Sequence, residues 1–101
     1  ETRDLLGLTL APLTDELRQE FGTTDDLEGL AITAVEELSE AFEKGLRPGD
    51  IITEAGQQKV TSIADLEARV DAATEAGRKS LLLLVRRAGD PRFVALSLVQ
   101  N

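Results

Sequence analysis

The side chains with catalytic potential in this chain are carboxylates, lysines and arginines, because histidine and cysteine are both absent from its 101 residues. Their absence excludes Ser-His-Asp and Cys-His nucleophiles and metal sites built on histidine or cysteine. Paired acids do occur, at Asp25-Asp26 and Glu36-Glu37. Carboxyls that cleave a glycoside face each other across about 5–9 Å, with one pKa raised by burial, and adjacent acids in polar loops offer neither feature. We therefore expect no catalytic site.

Metal and phosphate sites have equally weak signals. Asp25, Asp26 and Glu28 could ligate calcium through oxygen, but the alternating ligand positions and central glycine of an EF-hand loop are missing, so we expect a solvated loop. The glycine-containing run at 45–50 lacks the Lys-Ser/Thr ending of a phosphate-binding loop. No metal and no cofactor are predicted.

Binding chemistry is better supported, in the run Leu5-Leu6-Gly7-Leu8. Capture of a peptide C-terminus requires converging backbone N–H groups for the carboxylate, an apolar pocket for the last side chain and a strand edge for pairing. Gly7 would let the backbone approach closely, and Leu6 and Leu8 would help to line the pocket. The alternative is that the run is simply the start of a strand.

Two elements would have to position this loop. The alternation of apolar residues through Leu6, Leu8 and Leu10 predicts a strand with one apolar face. A longer helix, predicted over 62–76, would form the opposite wall. Its apolar face consists of Ile63, Leu66, Val70 and Ala73.

The remaining elements alternate along the chain without a linker. Gly-Leu-Arg-Pro-Gly-Asp at 45–50 predicts a tight turn that leads into a buried strand over 51–55. Helices are predicted over 14–21 and 39–44, and strands over 29–35, 58–60, 80–87 and 92–99, with a polar loop at 23–28 and a hairpin turn at 88–91. The leucine run at 81–84 predicts a strand that is covered on both sides. The predicted core comprises Leu30, Ile32, Ile51, Ile52, Leu66, Val70, Leu82, Leu84 and Leu96.

Length and charge narrow the partners. The chain is long enough for one domain, over residues 1–101, with a core of its own. Its net charge of −8, its scattered basic residues and its three phenylalanines as the only aromatics argue against nucleic-acid binding. No apolar run approaches the roughly 20 residues of a membrane span, so none is expected.

In this order, the 45–50 turn after a short helix and the Leu-Gly-Leu loop before an alternating strand resemble a PDZ domain of a bacterial HtrA/Do-type (DegP-like) serine protease. The resemblance implies a mixed α+β fold, a PDZ-like, partly open β-barrel of about five strands capped by two to three helices. It also implies a peptide-binding set, which comprises Arg3, Leu5, Leu6, Gly7, Leu8, Thr9, Leu10, Ile63, Leu66, Glu67 and Val70.

Within that resemblance, Asp4 stands where many relatives carry glycine. Arg3 keeps the cation expected near a peptide carboxylate, and Asp4 would partly cancel its attraction. Domains of this family that prefer Ser or Thr two residues before the C-terminus use a histidine at the helix start. Because this chain has no histidine, an apolar preference is expected there, beside Ile63. The ending over 92–101 resembles a terminal strand that closes the whole protein, which favours the second, C-terminal PDZ domain of the parent.

The resemblance implies a module that binds peptide C-termini or unfolded polypeptide and regulates an upstream protease domain, in the periplasm and without an active site of its own. The alternative is a PDZ domain that acts mainly in oligomer assembly of that protease. A third possibility is a PDZ module of another parent, such as a site-2 or tail-specific protease.

Overall fold

A computed structural model of the chain describes residues 2–22, 28–87 and 90–98. Those residues form seven strands and three helices: β1 (Arg3–Leu5), β2 (Leu8–Pro12), α1 (Asp15–Phe21), β3 (Leu30–Val35), α2 (Glu40–Glu43), β4 (Ile51–Ala55), β5 (Gln58–Lys59), α3 (Ile63–Glu75), β6 (Ser80–Arg87) and β7 (Asp90–Ser97). The sheet order is β1-β2-β3-β4-β6-β7, with β5 paired to β4. The mixed α+β architecture is confirmed, with more strands than the five or so expected.

The largest departure from the sequence prediction is at the start of the chain. Leu6 and Gly7 do not belong to a strand, because both have positive φ, 57° and 80°. Two central residues with positive φ make the tight turn of a two-residue hairpin. The turn pairs Arg3–Leu5 with the strand that begins at Leu8, and so creates β1.

The long helix α3 is confirmed, and its start is fixed locally. Ser62 precedes it in an extended conformation and its side chain accepts a hydrogen bond from the Asp65 amide at 3.1 Å. The Asp65 carboxylate in turn accepts from the amide and the hydroxyl of Thr61, each at 3.1 Å. The Thr61 amide is the main reason that the pKa of Asp65 lies below its usual value. After the helix, Gly77 takes a φ of 77°.

The core lies against one face of the β6–β7 hairpin. Leu81, Leu83 and Val85 are buried, and the first two pair across the strands with the buried Leu96 and Val94. The predicted core is confirmed at Leu30, Ile32, Ile51, Ile52, Leu66 and Leu96. Val70 of α3 is half-buried and packs against this core, whereas the prediction is wrong at Leu82, which is 36% exposed, and at Leu84, which is half-buried. The prediction failed because β6 is covered on one face only, and an all-apolar strand does not show which face that is.

The 45–50 turn is held in the sheet by an ion pair. Asp50 is buried, and Arg87 of β6 donates to its two carboxylate oxygens, from Nε at 2.7 Å and from Nη2 at 2.8 Å. The Arg47 amide donates to the same carboxylate at 3.0 Å. The hydrogen bonds from Arg87 to Asp50 raise the pKa of Arg87, since they favour the charged guanidinium. The turn therefore has a structural role.

Candidate functional site

The Leu6–Gly7 turn lies against the start of α2. A Cβ atom placed on Gly7 would lie 2.5 Å from the Ser39 Cβ and 2.9 Å from its hydroxyl oxygen. The Gly7 carbonyl accepts a hydrogen bond from the Glu36 amide at 2.9 Å. Ser39 itself caps α2, because its hydroxyl accepts from the Phe42 amide. Glycine is therefore required here by close packing as well as by positive φ.

Both edges of β2 are paired in the structure. On one side it pairs with β3, from Leu8 opposite Val35 to Pro12 opposite Leu30. On the other side β1 runs antiparallel to it, with Leu5 opposite Leu8 and Arg3 opposite Leu10. The edge of β2 on which β-augmentation would place an extended peptide is thus lined by the chain's own residues.

The side chains of β1 alternate between its two faces. Asp4 accepts a hydrogen bond from the Thr9 hydroxyl at 2.9 Å. Arg3 lies on the other face and forms an ion pair with Glu67 of α3. Arg3 is thus placed beside the helix rather than at the Leu6–Gly7 turn, and the Asp4 carboxylate is bonded to Thr9 rather than to Arg3.

The predicted binding residues divide by burial. Leu8, Leu10, Ile63 and Leu66 are buried in the core cluster. Leu5, Leu6, Gly7, Thr9, Glu67 and Val70 are half-buried, and Arg3 is exposed. Leu8 is 1% exposed, yet it belongs to the lining of a depression beside the Leu6–Gly7 turn, and its part in ligand binding stays a prediction. The half-buried residues are the ones that a ligand could contact directly.

A separate depression of about 640 Å³ lies beside the Leu6–Gly7 turn. Its lining combines the turn, α3 and the end of β7: Leu5, Leu6, Gly7, Glu36, Ser39, Glu40, Val70, Thr74, Leu96, Ser97 and Leu98. Among those described residues two are glutamates and none is basic. Any carboxylate bound there would depend on backbone N–H groups rather than on a side-chain cation.

The sequence analysis did not identify several residues that line this depression. Glu36, Ser39 and Glu40 adjoin the turn only because the chain returns there after β3. Ser39 carried the signal of a helix cap, but nothing local indicates what lies beside it. The calcium candidates Asp25 and Asp26 lie outside the described residues. Within the described part of the chain no cluster of acidic residues could hold a metal ion, and no helix is both long and apolar enough to cross a membrane.

The chain is similar in sequence to proteins that are already known. Two probable periplasmic serine endoproteases, DegP-like, are similar to the chain: that of Bartonella henselae is 37% identical over 87% of the chain, and that of Brucella suis is 34% identical over all of the chain. The chain spans 18% of the length of each relative.

Two solved structures share the fold. The HtrA3 PDZ domain bound to a phage-derived ligand (FGRWV) has a TM-score of 0.72, at 22% identity, over 96% of this chain and 86% of that one. The HtrA-type protease AlgW with a decapeptide has a TM-score of 0.68, at 23% identity, over 95% of this chain and 29% of that one. The PDZ-like fold is thereby confirmed. The family model for the PDZ domain matches residues 5–98, and the chain belongs to the PDZ domain family.

Proposed function

We propose that the chain is the peptide-binding regulatory module of an HtrA-type serine endoprotease. Extended peptide C-termini, or segments of unfolded polypeptide, would pair with β2 on the edge that β1 occupies in the structure and would rest against α3. The catalytic domain would belong to another part of the parent protein, and the parent would act in the periplasm. The similarity to DegP-like relatives supports this parent, and the place of the chain as the second, C-terminal PDZ domain stays a prediction.

One observation carries the proposal: on the edge away from β3, β2 pairs with an extended segment, which in the structure is the chain's own β1. Backbone pairing with such an edge supplies affinity that does not depend on ligand sequence. Half-buried side chains on both sides of this edge, Leu6 at the turn and Glu67 and Val70 on α3, would supply selectivity. This division suits a module that must recognise many unfolded chains.

The test is a titration of the isotope-labelled chain with an acetylated pentapeptide that has a free C-terminal leucine. We expect backbone amide shifts over 6–10 and on the 63–70 face of α3, and a dissociation constant of tens of micromolar or weaker, because a short peptide makes few contacts. The matched control is the same peptide with an amidated C-terminus, which should bind several-fold more weakly. Shifts confined to other surfaces would reject this site.

A second function, assembly of the parent protease, is favoured by other observations. The β2 edge is already paired, and Leu38 and Phe93 are large apolar side chains that are 98% and 67% exposed. If they form a contact between copies, the chain should self-associate in sedimentation experiments, and Phe93→Ser should weaken that association. A chain that stays monomeric at millimolar concentration and binds peptide would leave the first function alone standing.

A further inference from the structure

The strand β1 runs through the place where a peptide ligand would lie. It pairs antiparallel with β2 on the edge away from β3, and it ends at Leu5, directly before the Leu6–Gly7 turn. Leu5 and Leu6 pack against the core cluster beside Val70 of α3. The segment therefore makes the two kinds of contact that β-augmentation requires, backbone pairing and the placement of alternate side chains in pockets.

The register shows which side chains of β1 face the helix. Arg3 and Leu5 are two residues apart and lie on one face, opposite the buried Leu10 and Leu8. Leu5 contributes to the depression at the turn, and Arg3 pairs with Glu67 one turn of α3 away from Val70. The strand β1 thus presents an apolar side chain, Leu5, to the depression and a cation, Arg3, two residues earlier to Glu67.

The hold on β1 is weak. The strand has three residues, and both partners of its ion pair with α3 have contact with solvent, at 55% and 34% side-chain exposure. An ion pair of this exposure changes an equilibrium by about fivefold at most. Leu6 also adopts a φ of 57°, which is unfavourable for a leucine. Beyond these features β1 is held by its pairing with β2, by the packing of Leu5 and by the hydrogen bond from the Thr9 hydroxyl to Asp4, contacts that an incoming strand could replace.

We propose that Arg3–Leu5 is an internal ligand of the groove between β2 and α3, and that external peptides bind by displacing it. This rests on the proposed function. The peptides that displace it best share its chemistry, an apolar residue in the Leu5 position and Lys or Arg two residues earlier, opposite Glu67. Glu67 is then a selectivity residue, which replaces the apolar preference expected from the sequence at this position with a basic one.

The first experiment compares the whole chain with its Arg3→Glu variant, using an acetylated pentapeptide that ends in Arg-Val-Leu with a free carboxylate. Arg3→Glu breaks the pair with Glu67 and frees the groove, so peptide affinity should rise about two- to fivefold, since apparent affinity scales with the open fraction. Arg78→Glu is the matched control, because it makes the same charge change at an exposed position outside the groove. It should leave the affinity within twofold of the wild-type value.

The second experiment exchanges the arginine of the peptide for glutamate. Wild-type protein should bind the arginine peptide about two- to fivefold more tightly, and Glu67→Gln should abolish that difference. On wild-type protein, nuclear Overhauser effects between Arg3 and Leu10 should disappear as the protein is saturated with peptide. This last readout needs no variant and so does not depend on how any variant folds.

The outcomes separate the inference from the function on which it rests. Saturable peptide binding with the Arg3–Leu10 contacts intact would overturn the internal ligand and leave peptide binding standing. An unresponsive wild-type protein beside an Arg3→Glu variant that binds would support the internal ligand strongly. Failure of both proteins to bind either peptide would reject the proposed function, and the inference with it.

Discussion

The packing of the Leu6–Gly7 turn can be tested by adding one methyl group, with the substitution Gly7→Ala. Gly7 has a φ of 80°, and a Cβ there would lie 2.5 Å from the Ser39 Cβ. An alanine in the left-handed region costs about 1–2 kcal/mol for conformation alone. Forcing a methyl group into a filled space adds about 1–3 kcal/mol. Gly7→Ala should therefore lower the free energy of unfolding by roughly 2–5 kcal/mol in total.

Gly77 supplies the matched control. Its φ is 77°, and nothing lies within 4 Å of the Cβ position. Gly77→Ala should incur the conformational cost only. Urea denaturation followed by far-ultraviolet circular dichroism should thus separate the two variants by about 1–3 kcal/mol. At this chain length each kcal/mol corresponds to roughly 4–8 °C in Tm.

A third variant identifies the atom responsible. Ser39→Gly removes the Cβ that Gly7→Ala would meet, and glycine at a helix N-cap costs only a few tenths of a kcal/mol. The double variant should therefore recover most of the steric loss, with a coupling of about 1–3 kcal/mol. Equal destabilisation by Gly7→Ala and Gly77→Ala, or a double variant that is merely additive, would refute the packing argument. Gly7 would then serve only the turn or a ligand.

Three further changes test the rest of the fold. Arg87→Met leaves the Asp50 carboxylate buried without its ion-pair partner and should cost about 2–3 kcal/mol in chemical denaturation, below the 3–5 kcal/mol of a fully buried pair because Arg87 is 43% exposed. Leu83→Ala should cost about 2–5 kcal/mol, and Leu82→Ala on the open face of β6 about 1 kcal/mol or less; equal losses would contradict the assigned face. Because the pKa of Asp65 is lowered in the fold, its stabilisation is complete above the ordinary value near 4 and is lost as pH falls through the lowered one. Asp65→Asn should therefore be less stable than wild type at neutral pH, and the difference should shrink in acid denaturation profiles.

Elements with local signals were predictable. Helix α3 carries a serine cap at Ser62 and a glycine with positive φ at Gly77, so the sequence specifies both ends. The tight turn at 45–50 was also visible, since glycine and proline impose their own dihedrals. The bidentate bond from Arg87 to Asp50 was not, because no sequence pattern links residues that are 37 positions apart.

The hairpin of β1 was missed for a different reason. Its turn consists of Leu6 and Gly7. The first position of such a turn is usually Asn, Asp or Gly, and here it is leucine. The alternation of leucines fits a longer strand equally well. Tertiary contacts decide between the two, since Gly7 packs on Ser39 and Arg3 reaches Glu67 only when the chain reverses.

The division of burial in the groove also bears on how its selectivity could change without loss of the fold. Leu8 and Leu66 are both almost fully buried, so a polar substitution at either would unfold the domain before it changed a ligand contact. Leu8→Lys is for this reason a test of stability rather than of the pocket. Glu67 and Val70 are half-buried on the helix face beside the same strand. Substitutions there disturb the core less than changes at the fully buried leucines do, so ligand preference can vary at these two positions while those leucines keep β2 and α3 in place.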